Sequence, residues 1–316
     1  MAHIGSSISE AKEILDRGEL IGLPTETVYG LAGNALNPAS VSKIFQVKNR
    51  PQFDPLILHC SSIEQVKELV SEFPDKALKL AEEFWPGPLT LLLPRKKEVI
   101  PDITCSGLPR AAFRIPKHKI ARKLLEKLDY PLAAPSANPF GYISPTSAMH
   151  VNNQLGDKIE YVLDGKVSKV GIESTIVGFE EEKAIVYRLG GLDVNAIEAV
   201  IGEVEIMPYS SSSPAAPGML KSHYAPKKTI HLGDVDDLIR KYKGKNIGIL
   251  SFHKKYAGVP KSFQLSSSQN LDEAAQNLFS YLRLLDESDV DLIITELVPN
   301  EGLGKAINDR LKRASV

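Results

Sequence analysis

Between Leu23 and His59 the chain sets hydroxyls, a phenol, carboxylates, two cations and an imidazole at short intervals. They run Leu23-Pro24-Thr25-Glu26-Thr27-Val28-Tyr29-Gly30, then Lys48-Asn49-Arg50-Pro51, then Asp54-Pro55-Leu56-Ile57-Leu58-His59. Further polar residues stand at strand ends or turns: Arg110, Arg114, Ser136, Asn138, Ser174, Thr175 and Arg188. Guanidinium forks and lysine point charges suit carboxylates and phosphates. Turn hydroxyls such as Ser136 and Ser174 can bind phosphate oxygens together with neighbouring backbone N–H groups. So many donors point to an anionic ligand bearing phosphates, and a nucleotide with a second, smaller acid is one way to occupy them. A standard phosphate-binding loop is excluded, because no Gly-x-x-x-x-Gly-Lys-Ser/Thr sequence occurs. There is no Gly-x-Ser-x-Gly elbow, and His59 has no hydroxyl nucleophile partner in sequence. Catalysis by orientation and charge neutralisation, without a covalent enzyme intermediate, is the economical reading. Each residue also has a plainer reading: His59 as a hydrogen-bonded structural histidine, Tyr29 and Trp85 as core aromatics, Arg188 as a surface residue.

The elements that must position these groups follow from periodicity. Ile8, Ala11, Ile14 and Leu15 recur at helical spacing, so Ser9 to Arg17 reads as an amphipathic helix with Ser9 as cap. A strand from Leu20 to Leu23 leads into the first polar cluster, and a helix from Ala39 to Val47 delivers Lys48 and Arg50. A strand from Leu56 to Leu58 leads to His59. Helices follow to about Val70 and from Pro74 to Phe84, the latter running into Trp85-Pro86-Gly87-Pro88, which no regular element tolerates. Strands are expected at Leu89 to Leu93, Ala112 to Ile115, Leu132 to Ala134, Tyr161 to Leu163, Ser174 to Val177 and Ala184 to Tyr187. A helix from His118 to Leu128 and another starting at Ser144-Pro145-Thr146 fall between them. Strands and helices are mixed without strict alternation, which favours a twisted mixed sheet with flanking helices.

Composition shifts at about Gly202. Pro208 to Pro226 holds a serine run and Pro214-Ala215-Ala216-Pro217-Gly218, a linker by composition. Met219-Leu220-Lys221-Ser222-His223-Tyr224-Ala225-Pro226 then reads as a segment that docks. From Thr229, strands and helices alternate regularly: a small three-layer α/β domain, without the Gly-x-Gly-x-x-Gly of a dinucleotide fold. The organisation expected is a catalytic domain over 1–203, a linker or lid over 204–228 and a C-terminal domain over 229–316.

With 316 residues, 43% hydrophobic and 24% charged, the composition is that of an ordinary globular protein. A formal charge of -1 supplies no overall attraction to nucleic acid or anionic membrane. Two cysteines make neither a disulfide framework nor a zinc site, and the seven histidines lack metal-ligand spacing. No signal peptide and no run approaching the roughly 20 apolar residues of a membrane span is seen. The expectation is a cytoplasmic enzyme or binding protein.

These motifs in this order carry a resemblance: Leu23 to Gly30, Lys48-x-Arg-Pro51, Pro55-Leu-x-x-His59, Trp85-Pro-Gly-Pro-x-Thr90, Arg114-x-Pro116, Ser136-Ala-Asn138 and Ser174-Thr175. The chain resembles the YrdC-like family, and within it the two-domain threonylcarbamoyl-AMP synthases, over essentially its whole length. Ser222-His223-Tyr224-Ala225-Pro226 matches the linker of those longer members. The resemblance implies a YrdC-like mixed sheet followed by a Rossmann-like domain. It also implies formation of threonylcarbamoyl-AMP and pyrophosphate from L-threonine, bicarbonate and ATP with Mg²⁺. A partner complex would then transfer the threonylcarbamoyl group to tRNA. Thr27, His59, Arg114, Ala134 and Ser174 look like the threonine site. Arg50, Asp54, Arg110, Ser136, Ser144, Arg188 and Tyr224 look like ATP contacts, with Lys48 and Arg50 nearest the chemistry and Tyr29 lining the cleft. Two departures stand out: Asn49 where many relatives have Gly, and Arg110 at a position usually small or hydroxylated.

A YrdC-like RNA-binding regulatory module is the alternative, with a weak tRNA contact; near-neutral charge speaks against strong nonspecific binding. The carbamoyl transferases of hydrogenase maturation share the domain but add cysteine-rich zinc modules, which Cys60 and Cys105 cannot build.

Overall fold

The structure, a computed structural model, describes residues 1–181, 183–207, 216, 217, 219 and 224–315. The serine run and Leu220 to His223 of the expected docking segment lie outside the described residues.

In chain order the first domain comprises β1 (His3–Gly5), α1 (Ile8–Asp16), β2 (Ile21–Leu23), β3 (Gly30–Asn34), α2 (Pro38–Lys48), β4 (Ile57–His59), α3 (Ile63–Leu69), α4 (Asp75–Phe84), β5 (Leu89–Pro94) and β6 (Arg110–Arg114). It continues through α5 (Lys119–Leu125), β7 (Leu132–Ala133), α6 (Ala148–Leu155), β8 (Tyr161–Leu163), β9 (Thr175–Glu180), β10 (Lys183–Arg188), α7 (Val194–Ile201) and β11 (Glu205–Ile206). These strands form one 11-stranded mixed sheet in the order β1-β8-β2-β3-β7-β4-β6-β5-β9-β10-β11. Parallel and antiparallel pairs alternate irregularly across it, as the mixed element order requires.

Local chemistry explains most boundaries. Ser7, not Ser9, caps α1: its side chain accepts from Glu10 N. Side chains of Asn37 and Ser62 cap α2 and α3 in the same way. Asn49 ends α2 at φ 52 and ψ 40, a left-handed cap that Asn and Gly both adopt, which accounts for the replacement of Gly there. The helix expected from Ser144 begins only at Ala148, because Ser147 takes the cap by accepting from His150 N. β3 was not among the expected strands. Its glycines answer crowding: a Cβ at Gly33 would stand 2.6 Å from both Leu20 Cδ2 and Ser40 Oγ.

The C-terminal domain comprises β12 (Ile230–Leu232), α8 (Val235–Lys241), β13 (Ile247–Ser251), β14 (Ser262–Gln264), α9 (Leu271–Asp286), β15 (Leu292–Thr295) and α10 (Gly304–Ala314). Its strands are all parallel, in the order β12-β15-β13-β14. Alternating side chains divide it into layers. Ile247, Ile249, Leu292 and Ile294 pack with Val235 of α8, while Ile230, Leu250 and Ile293 pack with α9 and α10.

The two domains share a core. Val28, Ile143 and Ile172 of the first domain belong to the same apolar cluster as Leu278, Phe279 and Leu311 of the second. Polar ties flank it: Tyr142 Oη donates to Asp286 at 2.5 Å, and Arg283 Nη2 donates to the Ile143 carbonyl at 2.8 Å. Gly171, at φ +81, lies so close to α9 that a Cβ there would stand 2.4 Å from Gln276 Cα.

Candidate active site

Strand side chains alternate between faces. Residues 57 and 59 of β4 therefore share a face with their partners on β6, in the register Ile57↔Ala112 and His59↔Arg114. On this face Ile57, Leu92, Ala112, Ile176 and Tyr187 pack with Ala216 and Met219 of the linker, away from the helices that cover the opposite face. His59 and Arg114 thus stand side by side at one end of a sheet face roofed by linker residues.

Arg114 is buried and held on three sides. Nη1 donates to Thr27 Oγ1 at 2.8 Å, Nη2 to Glu26 Oε1 at 2.7 Å, and Nε to the Gly87 carbonyl at 3.2 Å. The Trp-Pro-Gly-Pro turn thereby finds a use. A Cβ at Gly87 would lie 2.2 Å from the Phe84 carbonyl oxygen, so the tight turn needs glycine. Thr27 is fixed in turn by Thr25, whose Oγ1 lies 2.8 Å from Thr27 Oγ1 and donates to the Val28 carbonyl at 2.6 Å. Burial, with Arg114 adding to it, pushes the His59 imidazole down to about 3, so it is neutral at neutral pH. Its Nδ1 is buried with no hydrogen-bond partner among the described residues.

The facing wall comes from the start of β9 and the end of β10. Ser174 Oγ lies 2.7 Å from Thr90 Oγ1, and it accepts from Arg188 Nη2 at 3.0 Å while the Ser174 carbonyl accepts from Arg188 Nε. Burial lowers Arg188 to about 10, which leaves it cationic near neutrality. Gly190 allows this wall to form, since a Cβ there would lie 2.4 Å from the Glu173 carbonyl oxygen. Glu173 itself was not anticipated from sequence. Its Oε1 accepts from Ser144 Oγ and its Oε2 from Arg310 Nε at 2.9 Å. Burial alone would raise this carboxyl; the charges of Arg310 and Arg188 and these hydrogen bonds outweigh it and hold it below the usual range.

The floor is built around Arg50. Its Nε donates to the Asp54 carbonyl at 3.0 Å and its Nη2 to the Pro55 carbonyl at 2.9 Å, with Asp54 Oδ2 also 2.9 Å away. Ala134, Pro135 and Ser136 continue the lining. Finally Tyr224 closes the cleft beside Pro217. Its ring lies 4.7 Å from the Arg310 guanidinium, 4.8 Å from that of Arg313, and stacks on Phe279 at 5.6 Å.

The cleft so formed brings together Thr27, His59, Arg114, Ala134, Ser174, Arg50, Ser136, Arg188 and Tyr224. Five expected residues are not in its lining. Lys48 is buried behind it, where its ammonium donates to the carbonyls of Ser136 (2.5 Å) and Asn138 and braces the turn. Asp54 and Ser144 act one step back, on Arg50 and Glu173. Arg110 shares a face with Arg114 but sits four residues along the strand, roughly 13 Å away at ~3.3 Å per residue. There its guanidinium donates to the Phe179 carbonyl at 3.2 Å and the Tyr187 hydroxyl at 3.3 Å, and lies 3.6 Å from Glu180. Tyr29, expected to line the cleft, is instead a fully buried core residue whose hydroxyl donates to the Lys166 carbonyl at 2.6 Å.

The donor set does not make a resident magnesium site. Among the described residues no three His, Cys, Asp or Glu side chains are grouped as a metal cage. The carboxylates nearest the cleft, Glu26, Asp54 and Glu173, are each paired with a guanidinium.

Two family models divide the chain between them. One, described as "Telomere recombination", matches residues 13–190, and the other, "Threonylcarbamoyl-AMP synthase, C-terminal domain", matches residues 192–316. A threonylcarbamoyl-AMP synthase of Pyrococcus abyssi is 42% identical, over 96% of this chain and 93% of that protein. One of Bacillus subtilis is 37% identical, over 98% of this chain and 92% of that protein. The crystal structure of P. abyssi Sua5 complexed with L-threonine superposes with a TM-score of 0.93 at 40% identity, covering 100% of this chain and 97% of that one.

Proposed function

Since the chain belongs to the threonylcarbamoyl-AMP synthase family, we propose that it joins L-threonine, bicarbonate and ATP into threonylcarbamoyl-AMP with release of pyrophosphate. The observation that carries this reading is that Arg114, Thr27, His59 and Ser174 line one cleft together with Arg50, Ser136 and Arg188. A small zwitterionic acid and a phosphate-bearing ligand need such a pair of adjoining subsites.

At the threonine end, Arg114 takes the carboxylate in its fork. Thr27, Ser174 and the neutral His59 hold the amine and the side-chain hydroxyl, and the backbone at Ala134 closes the subsite. At the ATP end, Arg50, held by Asp54, and Arg188 face the phosphates. Ser136 contacts the nucleotide, Ser144 steadies Glu173, and Tyr224 covers the top. The threonine nitrogen attacks the carbon of bicarbonate and water is lost, giving a carbamate. A carbamate oxygen then attacks the α-phosphorus as its bond to the α,β-bridging oxygen breaks, and pyrophosphate carries the electron pair away. Negative charge spreads over the phosphates in this step, and Arg50 and Arg188 neutralise it. Gathering three reactants is the larger part of the task, and orientation can supply several kcal/mol of the barrier. The linker segment with Tyr224 shields a hydrolysable adenylate from water.

Magnesium would arrive on the ATP phosphates, the usual habit of an ion that keeps few protein ligands. Lys48 supports the Ser136–Asn138 turn and does not touch the phosphates. The expected boundary at 203 shifts, because β11 (Glu205–Ile206) pairs with β10 in the first domain's sheet; Ala216, Pro217, Met219 and Tyr224 between it and the C-terminal domain serve as the cover. The product would pass to a transfer complex acting on tRNA in the cytoplasm, with only a weak tRNA contact by this chain itself.

Incubation with ATP, bicarbonate and threonine tests the proposal directly. Pyrophosphate should appear only when threonine is present; its absence at every Mg²⁺ concentration would sink the reading.

A further inference from the structure

We propose that Arg310, on the last helix of the C-terminal domain, is a positioning residue for the adenylate-forming reaction, acting on the cleft through Glu173 and Tyr224. This deepens the function proposed above and rests on it.

Arg310 is fully buried, and each part of its guanidinium has a different partner. Nε donates to Glu173 Oε2 at 2.9 Å, Nη2 to the Leu189 carbonyl at 2.8 Å, and Nη1 to Asp309. Its flat face lies 4.7 Å from the centre of the Tyr224 ring. Glu173 and Tyr224 both line the cleft, whereas Arg310 does not. One side chain from the second domain therefore touches two walls of a site otherwise built by the first domain and the linker.

The contact with Glu173 has an electrostatic consequence. Arg188, also in the lining, feels the charges of both Glu173 and Arg310. With Arg310 in place, one Glu173 oxygen is taken by Arg310 and the other by Ser144. The Glu173 charge is then spent on Arg310, and Arg188 keeps its own for the phosphates. Without Arg310, a buried carboxylate would be left beside Arg188, and a buried charge takes the nearest partner it can reach. It would turn on Arg188 and cancel the cation that the ATP end requires. The contact with Tyr224 works in parallel. A tyrosine at φ +67 is in a backbone region that bulky residues avoid, so its placement over the cleft depends on what clamps it. Among the described residues Arg310, Arg313 and Phe279 clamp it, and all three belong to the C-terminal domain.

The consequence is selective. Arg114 and Thr27, which take the threonine carboxylate end, are not among Arg310's hydrogen-bond partners in the described residues, and Ser174 is reached from Arg310 only through Glu173 and Arg188. Steady-state kinetics of the full chain with Arg310→Met, Arg310→Lys and the double variant Glu173→Gln/Arg310→Met provide the test, with threonine affinity measured separately by calorimetry. Arg310→Met should raise KM for ATP about tenfold or more, the scale for truncating one partner of a buried charge pair, and leave threonine affinity within about twofold. Arg310→Lys should recover part of the loss. Adding Glu173→Gln should lower KM for ATP again, because the stranded charge is gone. If Arg310→Met does not fold, Arg310→Lys, which keeps the charge but not the fork, is compared with wild type, and an unchanged KM for ATP in that variant overturns the proposal. So does a folded Arg310→Met with an unchanged KM for ATP, or with equal losses for ATP and threonine. The wild-type protein in the same assay separates the two readings. No threonine-dependent pyrophosphate from wild type removes the proposed function, whereas an active wild type and an indifferent Arg310→Met remove only the role of Arg310.

Discussion

The Arg114 guanidinium and the Glu26 carboxylate meet at 2.7 Å, and the second oxygen of that carboxylate accepts from the Lys117 N–H at 3.0 Å. Glu26 therefore fixes the angle of the fork, and does not merely balance its charge. Replacing Arg114 by Ala should cost threonine binding about 10- to 100-fold, the range for losing one charge-assisted pair of roughly 1.5–3 kcal/mol. Affinity for an ATP analogue alone should stay within about threefold. Calorimetry with each ligand separately checks this, and equal losses for both would count against placing threonine at Arg114.

Glu26→Gln probes the same pair from the other side. The guanidinium keeps its charge but loses the anion that orients it. Threonine affinity should fall by less than in Arg114→Ala, and Arg114→Lys, which keeps a charge without the fork, should fall between the two. A Glu26→Gln variant that binds threonine as wild type does would show that Thr27 and the Gly87 carbonyl orient Arg114 without help.

Gly171 is the tightest point of the domain junction. A Cβ there would stand 2.4 Å from Gln276 Cα and 2.5 Å from the Ala275 carbonyl oxygen, both backbone atoms of α9, and its φ of +81 is itself unfavourable for a side chain. Gly171→Ala should therefore destabilise the protein by about 2 kcal/mol or more, combining left-handed strain with overpacking. The loss should appear as a lower denaturation midpoint, and ATP affinity should fall with it, because α9 and α10 hold Tyr224. An unchanged midpoint would mean that the junction yields.

Lys48 shows where sequence reading met its limit. Its spacing from Arg50 and its cationic character were legible, and so were the strands that carry His59 and Arg114, because alternation and apolar runs are local signals. What its ammonium faces depends on a turn some ninety residues later in the chain (Ser136 to Asn138), and no local pattern reports that. Glu173 and Arg310 were missed for the same reason: an acid in a short polar loop and an arginine on a charged helix look ordinary until the fold joins them at 2.9 Å. Glycine-rich β3 was missed because crowding by distant side chains, not local preference, selects its glycines.

Lys48→Met keeps the volume but leaves two buried carbonyls without their donor. It should lower stability by about 1–3 kcal/mol for each unsatisfied group and raise KM for ATP through the loosened Ser136 turn, while kcat at saturating ATP stays within about threefold. A collapse of kcat with stability intact would return Lys48 to the chemistry.

Stability should fall on mild acidification, before most carboxylates titrate. His59 is held at about 3 and His150 at about 4, in each case by burial first and then by a neighbouring arginine, Arg114 for the former and Arg283 for the latter. An unfolded histidine titrates near 6.5. Between that value and the lowered folded values the unfolded chain binds protons that the folded chain refuses. The contribution of each neutral imidazole is therefore fully present above about pH 6.5 and is lost as pH falls toward the folded value. For His59 the slope approaches about 1.4 kcal/mol per pH unit at the acid end of the window, and His150 acts in the same direction. Denaturant titrations at pH 7.5, 6.5, 5.8 and 5.0, a range chosen about one unit above ordinary carboxyl values, should show a midpoint that is level at first and then falls. His59→Asn, which cannot titrate, should flatten part of that fall whatever it costs in stability at pH 7.5. A wild-type midpoint that does not move between pH 7.5 and 5.0 would mean that His59 takes up a proton in the folded protein, and it would then enter the threonine subsite as a cation.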